Sequence, residues 1–357
     1  WWETWTNLTL NQMKDWGFNT VGNWSSQRFA LDSKLPYVYP LEDFPQTSSL
    51  IFRDFPDVFS EEYQDNSTRF ALQLHRFKDD PCLIGYFLRN EPEWAFVGGL
   101  IIAEELLENK HDFASKEALI TFLEQQYNGD ISVFNQAWNT AFQAFDQLRG
   151  GIKKAASFSE QTRLDLRAFS REMVARYVSI PSKAVRAVDP HHLNLGMRYA
   201  YLTDEDLLAG CENFDVFSIN CYKFDPTPEI EVVGRLTGLP VMIGEYHFGA
   251  LDKGLTATGL KGVTSQGERG KAYSLYTERA AASPYCVGAH YFILSDQAAL
   301  GRFDGENYQI GLVNVCHQPY DEMLHYVTET NRTIYQVASG EKEPSNEQPE
   351  KIEFIAF

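Results

Sequence analysis

Basic charge is scarce in this sequence: 31 lysines and arginines stand against 49 aspartates and glutamates, a formal net charge of −18 over 357 residues. A phosphate backbone needs a basic face, and no Lys/Arg cluster is present, so nucleic acid is set aside as a partner. Long apolar runs are lacking too. None approaches the roughly eighteen residues of a membrane-spanning helix, and no membrane partner is expected. Cysteine is sparse: Cys82, Cys211, Cys221, Cys286 and Cys316 are odd in number, widely spaced and without a CxxC pair. Most lie in apolar runs such as Pro81-Cys82-Leu83-Ile84, the setting of buried free thiols rather than of a disulfide framework. Neither HxH nor HExxH spacing occurs, and Asp304, Glu306 and Asn307 make only a weak calcium pattern, so no metal and no cofactor is expected. No repeat or low-complexity segment is present. The chain opens on Trp1 rather than Met, so its natural start is expected to lie upstream and a missing leader carries no weight.

What is abundant is aromatic. Phe, Tyr and Trp make up 14% of the chain, with 25, 18 and 7 copies. Tyr and Trp join a flat apolar face to a polar tip, which suits sugar rings, although composition alone favours core filling. With 44% hydrophobic and 22% charged residues, the chain is that of an ordinary globular protein.

Strand-like apolar runs at 18–24, 36–39, 82–88, 193–198, 214–221, 240–243 and 286–294 alternate with helical patterns. The helices are expected at 8–16, 60–78, 118–127, 132–138, from about 160, and at 204–211, 266–282 and 319–338. Continuous apolar strands each followed by a helix indicate a parallel sheet buried on both faces. The expected fold class is therefore α/β, a (β/α)8 TIM barrel. Seven strands are visible where closure needs eight, so the barrel is expected to lack its first strand. Residues 1–338 are read as one catalytic barrel with a long insertion at about 95–160, and 339–357 as a solvated polar tail.

Active-site groups of such a barrel sit at the C-terminal ends of strands. Glu91 lies there, in Leu88-Arg89-Asn90-Glu91-Pro92-Glu93-Trp94, and so does Glu245, in Gly244-Glu245-Tyr246-His247. A lone Glu at a strand end is more often an ion-pair partner than a catalyst, but two of them at one mouth can divide the work of glycoside hydrolysis. A retaining enzyme holds them about 5–5.5 Å apart, one attacking the anomeric carbon and the other protonating the leaving oxygen.

These motifs carry a resemblance. Asn90-Glu91-Pro92 after one strand and Glu245 at a later one look like clan A of the retaining glycoside hydrolases. More specific is the series from Gly244-Glu245-Tyr246-His247-Phe248-Gly249 through Ser265-Gln266, Glu268-Arg269, Tyr273, Val287 to His290, Asp296-Gln297, Gly301-Arg302 and Asp304 to Gly311. That series resembles glycoside hydrolase family 50, the β-agarases, over residues 10 to 338, and Trp16-Gly17-Phe18 to Trp24 fits the same family. The resemblance implies a retaining hydrolase of the β-1,4 bond between D-galactose and 3,6-anhydro-L-galactose, with Glu91 as acid/base and Glu245 as nucleophile. It implies a galactan polysaccharide or oligosaccharide as substrate and a secreted or periplasmic location. One departure is Arg89, which stands where related sequences often carry an acidic residue. Two alternatives remain: a β-galactosidase of the same clan acting on short oligosaccharides, and a non-catalytic carbohydrate-binding barrel.

The remaining candidates for substrate binding follow from their positions. Asn90 can donate to a sugar 2-hydroxyl, and Tyr222 can hydrogen-bond Glu245. Trp24 and Trp94 follow strand ends where an indole can stack on galactose, and Asn23 and Arg198 close strands beside them. His247 and His290 flank the nucleophile strand and the last strand. Asp296, Gln297, Arg302 and Glu306 belong to a donor-rich, glycine-bearing loop suited to capping a substrate.

Overall fold

Val241–Tyr246 is the central strand of a three-stranded parallel sheet, and all six of its residues are buried. Its neighbours are Phe217–Asn220 on one side and Cys286–Tyr291 on the other. A computed structural model describes residues 1–200, 202 and 204–352. It resolves into two compact units. The sheet unit comprises Trp1–Pro40, Pro81–Gly85 and Val216–Phe357; the long-helix unit comprises Leu41–Asp80 and Tyr86–Asp215.

In the sheet unit, an uninterrupted apolar run builds a strand with no solvent face, as parallel sheets require. The strand reaches past the expected end at 243 to Tyr246, so Glu245 is part of the ladder rather than of the following loop. Ile219 faces Ile243 while Asn220 faces Glu245, which leaves Gly244 without an opposite number. Such an irregularity re-aims the side chain that follows it. Helix Gln266–Ala282 begins where the sequence places it, because the Ser265 hydroxyl accepts from the Glu268 N–H at 3.3 Å. It packs on Asp321–Ala338, and Gly270 makes the crossing close: a Cβ there would come within 2.5 Å of the Tyr326 ring.

Two expectations for this unit change. The strand at 18–24 contracts to one parallel bridge between Val21 and Tyr37, followed by the short strand Tyr37–Pro40. Gly22, Asn23 and a left-handed Trp24 (φ 63°) end it early. The tail does not run free into solvent. Lys342 Nζ donates to Glu278 at 3.0 Å, the Ser345 N–H to the same carboxylate at 2.8 Å, and the Glu350 N–H to Glu268 at 2.6 Å. Lys351 bridges Val263 as an antiparallel partner, so the charged tail is tied to helix Gln266–Ala282 by its acidic residues. Residues 353–357 of that tail lie outside the described residues.

In the long-helix unit, Glu160–Val188 runs unbroken, capped by the Ser159 hydroxyl, which accepts from the Thr162 N–H at 3.0 Å. Glu61–Ala71 and Ile102–Glu108 pack against it. Ala114–Gln126 and Ile131–Trp138 complete the region read as an insertion, and a buried Asp165 accepts from Tyr127 at 2.5 Å, Trp138 at 2.8 Å and Gln126 at 2.6 Å. Extended backbone runs beside it: Leu41 donates to Phe87, Leu195 to Tyr86 and Leu88 to Gly196, each at 2.9 Å. A hairpin of Leu50–Phe52 and Phe55–Pro56 contacts Arg89, Glu93 and Trp94 through Asp54; Phe55 stacks on Tyr177 and Trp94 meets both edge-on. The molecule is thus α/β, with parallel strands interleaved with helices.

Candidate active site

Glu245 is 7% exposed, and each of its oxygens accepts a hydrogen bond from a neutral donor. Trp24 Nε1 donates to Oε1 at 2.6 Å, and the Tyr222 hydroxyl donates to Oε2 at 2.6 Å. Both donors stand just past strand ends, and the Cys221 N–H donates to the Glu245 carbonyl at 2.9 Å, which fixes Tyr222 beside the ladder. These two donors fix the carboxylate in rotation. The Trp24 indole is 50% exposed, so one part of it holds Glu245 while another faces outward. Neither side-chain atom of neighbouring Asn23 finds a partner among the described residues, although both are buried.

His247 follows on the same segment. Its Nε2 accepts the Leu260 N–H at 2.9 Å, so the proton resides on Nδ1. The loop approaches closely enough that a Cβ on Gly259 (φ +69°) would sit 2.4 Å from Nε2; glycine is required there. Burial, with Arg269 and Lys261 adding, pushes the His247 pKa down to about 3. Its ring lies 4.8 Å from that of Tyr222.

The loop after the last strand is held by its own charges. Gln297 Nε2 donates to Glu306 at 2.7 Å and Gln297 Oε1 accepts from the Tyr308 N–H at 2.8 Å. Arg302 pairs with Asp304 at 2.5 Å and Glu306 at 2.9 Å; its pKa is raised by the Asp304 hydrogen bond first, with Glu306 and Glu245 adding their charge. The carboxylates of the weak calcium pattern are thus engaged by a guanidinium, and Asn307 Nδ2 turns to Thr256. Asp296, expected at the substrate, is instead internal: it accepts from Tyr320 at 2.5 Å and from the Gly311 N–H at 2.7 Å. Burial raises its pKa, against those hydrogen bonds. His290 lies against Gly22, half-buried.

In the long-helix unit, Asn90 and Glu91 are half-buried at the end of the strand Leu83–Phe87. Glu91 adopts a left-handed backbone (φ 47°), and its N–H donates to the carbonyl of Arg198, itself left-handed (φ 50°), at 3.3 Å. Such a conformation costs about 1–2 kcal/mol for a residue other than glycine, and it aims the side chain where an ordinary strand end cannot. Arg198 is fully buried with its guanidinium 5.0 Å from the Phe87 ring centre. Trp94, expected to stack on sugar, is 2% exposed and packs edge-on to Phe55 and Tyr177; an apolar pocket was waiting for it in its own unit.

Two residues without a role in the sequence reading matter here. Arg269, buried, donates to the carbonyls of Phe248 and Gly311 at 2.7 Å each and to Tyr291 at 3.0 Å, joining the segment after Glu245 to the 301–311 loop. Its place in the Ser265 to Arg269 motif was the available signal. Asp54 gave none: it sits in a hairpin too short for any periodicity to register.

A family model of the glycoside hydrolase 42 type, described as β-galactosidase, matches residues 32–234. Beta-agarase A of Vibrio sp. (strain JT0107) is 30% identical over 93% of this chain and 36% of its own length; Beta-agarase B of the same organism is 29% identical over 93% and 36%. Among solved structures, an agarase superposes with a TM-score of 0.86 at 30% identity, covering 94% of this chain and 50% of that one. An exo-beta-agarase superposes at 0.86 and 28% identity, covering 95% and 47%. The chain spans about a third of the curated relatives' length and about half of the solved ones.

Proposed function

This chain belongs to the glycoside hydrolase 42 family and resembles the family 50 β-agarases, and on that premise we propose that it is a β-agarase-like retaining glycosidase on a (β/α)8 barrel spanning 1–338. Its substrate is the β-galactosidic bond of agar-type galactan or of the derived oligosaccharides. The observation that carries this reading is Glu245: a buried carboxylate at a strand end whose two oxygens are held by Trp24 and Tyr222, beside a half-exposed indole.

In the first step a Glu245 oxygen attacks the anomeric carbon while the glycosidic C–O bond breaks, and Glu91 passes its proton to the leaving oxygen. Water then attacks the same carbon from the side the leaving group vacated. Glu91 takes the water's proton, Glu245 departs as carboxylate, and the β-configuration is restored. Trp24 and Tyr222 hold the nucleophile on line, and the unpartnered Asn23 amide suits a sugar hydroxyl. His247, a neutral donor at Nδ1, suits another. Because the carboxylates neutralising Arg302 lie in its own loop, that residue supports the loop as much as it contacts sugar.

A β-galactosidase acting on short β-galactosides is the second reading, favoured by the description of the matching family model. The test uses agarose oligosaccharides and lactose-type substrates side by side, with product configuration followed by NMR. Release of a disaccharide with the β-anomer formed first is expected, and Glu245→Gln lowers turnover by about 10⁴-fold or more. Near-normal turnover by that variant ends the assignment of Glu245. An α-anomer formed first ends the retaining mechanism, and cleavage of lactose-type substrates alone selects the second reading.

A further inference from the structure

The segment that carries Glu91 is gripped by a single carboxylate from another part of its unit. Asp54, at the tip of the hairpin, accepts the Trp94 N–H on Oδ1 at 2.9 Å and the Glu93 N–H on Oδ2 at 2.9 Å. The same Oδ2 pairs with the guanidinium of Arg89. Arg89 stands two residues before Glu91 and Glu93 two residues after, so one side chain brackets the candidate acid/base from both sides. Both members of the ion pair are largely shielded, with side-chain exposures of 19% and 13%. The adjacent Arg53 adds a tie of its own, Nη1 donating to the Glu93 carbonyl at 3.1 Å.

Local chemistry shows why an outside carboxylate is needed. The single turn Glu93–Phe96 has Pro92 at its N-cap, and proline has no side-chain acceptor for the free N–H groups of a first turn. Asp54 supplies that acceptor from a distance, and its negative charge suits the positive end of the turn. Arg89 closes the other side, and the Glu91 N–H bound to Arg198 adds a third tie to the left-handed backbone between the two anchors.

We infer that Asp54, through its clamp on Arg89 and on the Glu93 and Trp94 N–H groups, is the positioning residue that sets where the Glu91 carboxyl delivers its proton. This rests on the reading of Glu91 as acid/base and goes beyond it. A positioning role differs from a merely structural one in what it discriminates. Proton delivery matters when the leaving group is a sugar and hardly at all when it is a nitrophenol, which departs unassisted. A cap that only stabilised the fold would scale both reactions alike, through the amount of folded enzyme.

The experiment compares kcat/KM for the agarose-derived oligosaccharide with that for its nitrophenyl glycoside, in the parent, Glu91→Ala, Asp54→Ala and Asp54→Asn. Glu91→Ala is expected to lose the sugar leaving group selectively, with azide restoring turnover of the nitrophenyl glycoside as the β-glycosyl azide. Asp54→Ala is expected to lose the sugar leaving group by about 100-fold, the effect of an ångström-scale misplacement, to keep the nitrophenol rate, and to shift the alkaline limb of its pH profile. Asp54→Asn, which keeps shape and one acceptor oxygen, falls between and decides the matter if the alanine variant does not fold. Folded Asp54 variants with the parental ratio of the two rates and an unmoved alkaline limb overturn the inference. A Glu91→Ala protein with undiminished sugar-leaving activity overturns the acid/base assignment instead, so the two failures are distinguishable.

Discussion

In the sheet unit Glu245 is held through its side chain; in the long-helix unit Glu91 is held through its backbone. Glu245 belongs to the strand Val241–Tyr246, re-aimed by the unopposed Gly244 before it, and two donors, Trp24 and Tyr222, hold its oxygens. Glu91 sits in a left-handed backbone between anchors on Arg89, Glu93 and Trp94. The difference matches what the two proposed roles, nucleophile and acid/base, demand. A nucleophile must present one oxygen along one line, and donors on the carboxylate achieve that directly. A group that gives a proton and then takes one back must meet the leaving oxygen in one step and the water oxygen in the next, and the anchored backbone on either side of Glu91 serves that.

The sharpest way to break that comparison is to remove the donors on Glu245 singly. Hydrogen bonds to a charged group contribute about 1.5–3 kcal/mol, so Tyr222→Phe and Trp24→Phe are each expected to lower kcat/KM by about 10- to 100-fold. The loss should be the same for nitrophenol and sugar leaving groups, because both need the nucleophile. Measured on the pair of substrates used for Asp54, a loss confined to the sugar leaving group would show that these donors do not serve Glu245. Trp24→Phe keeps an apolar ring on its exposed side, so KM should move less than kcat.

Legibility in the sequence followed the same division. Val241 to Ile243 and Cys82 to Phe87 announced themselves as buried strands, and Ser265 with Gln266 fixed a helix start, because continuous apolar runs and caps are local signals. The pairing of Tyr222 with Glu245 was also within reach, since both stand at strand ends. Helix Thr227–Thr237 was not expected. Pro228 lies in its first turn, a position that proline suits. Trp94 and Asp296 looked like ligands of a sugar and became internal, because burial depends on partners such as Phe55, Tyr177 and Tyr320 that lie far away in sequence. Asp54 was invisible for the same reason: its meaning lies wholly in contacts 35 to 40 residues away.

A smaller effect tests how dry the surroundings of Glu245 are. His247, with a folded pKa pushed down to about 3 by burial, titrates near 6.5 when the chain unfolds. Between those values the unfolded state takes up a proton that the folded state refuses. This contribution to stability is therefore complete above about pH 6.5 and is lost as pH falls toward 3, with a slope of up to about 1.4 kcal/mol per unit. Denaturant midpoints measured between about pH 4 and 7 should flatten in His247→Gln relative to the parent. An unchanged slope would mean that the imidazole is not kept neutral beside Tyr222.

The thiols give the smallest effect and compare the units most directly. Cys221 and Cys286 report on the sheet unit and Cys211 on the long-helix unit. Burial pushes each of the three up to about 11. Only thiolate reacts, so at about pH 8 such a group is ionised to roughly one part in a thousand. Cys316 is exposed. In native buffer a maleimide or iodoacetamide should therefore reach Cys316 first, with kcat unchanged, since the turn it occupies holds none of the groups placed around Glu245 or Glu91. Adding low concentrations of urea then opens the comparison. Cys221 is buried beneath the Tyr276 hydroxyl, which donates to its carbonyl at 2.7 Å, whereas Cys211 is half-exposed in a short turn. Peptide mapping should find Cys211 modified at lower urea than Cys221, and simultaneous modification would show that both units open in one cooperative step.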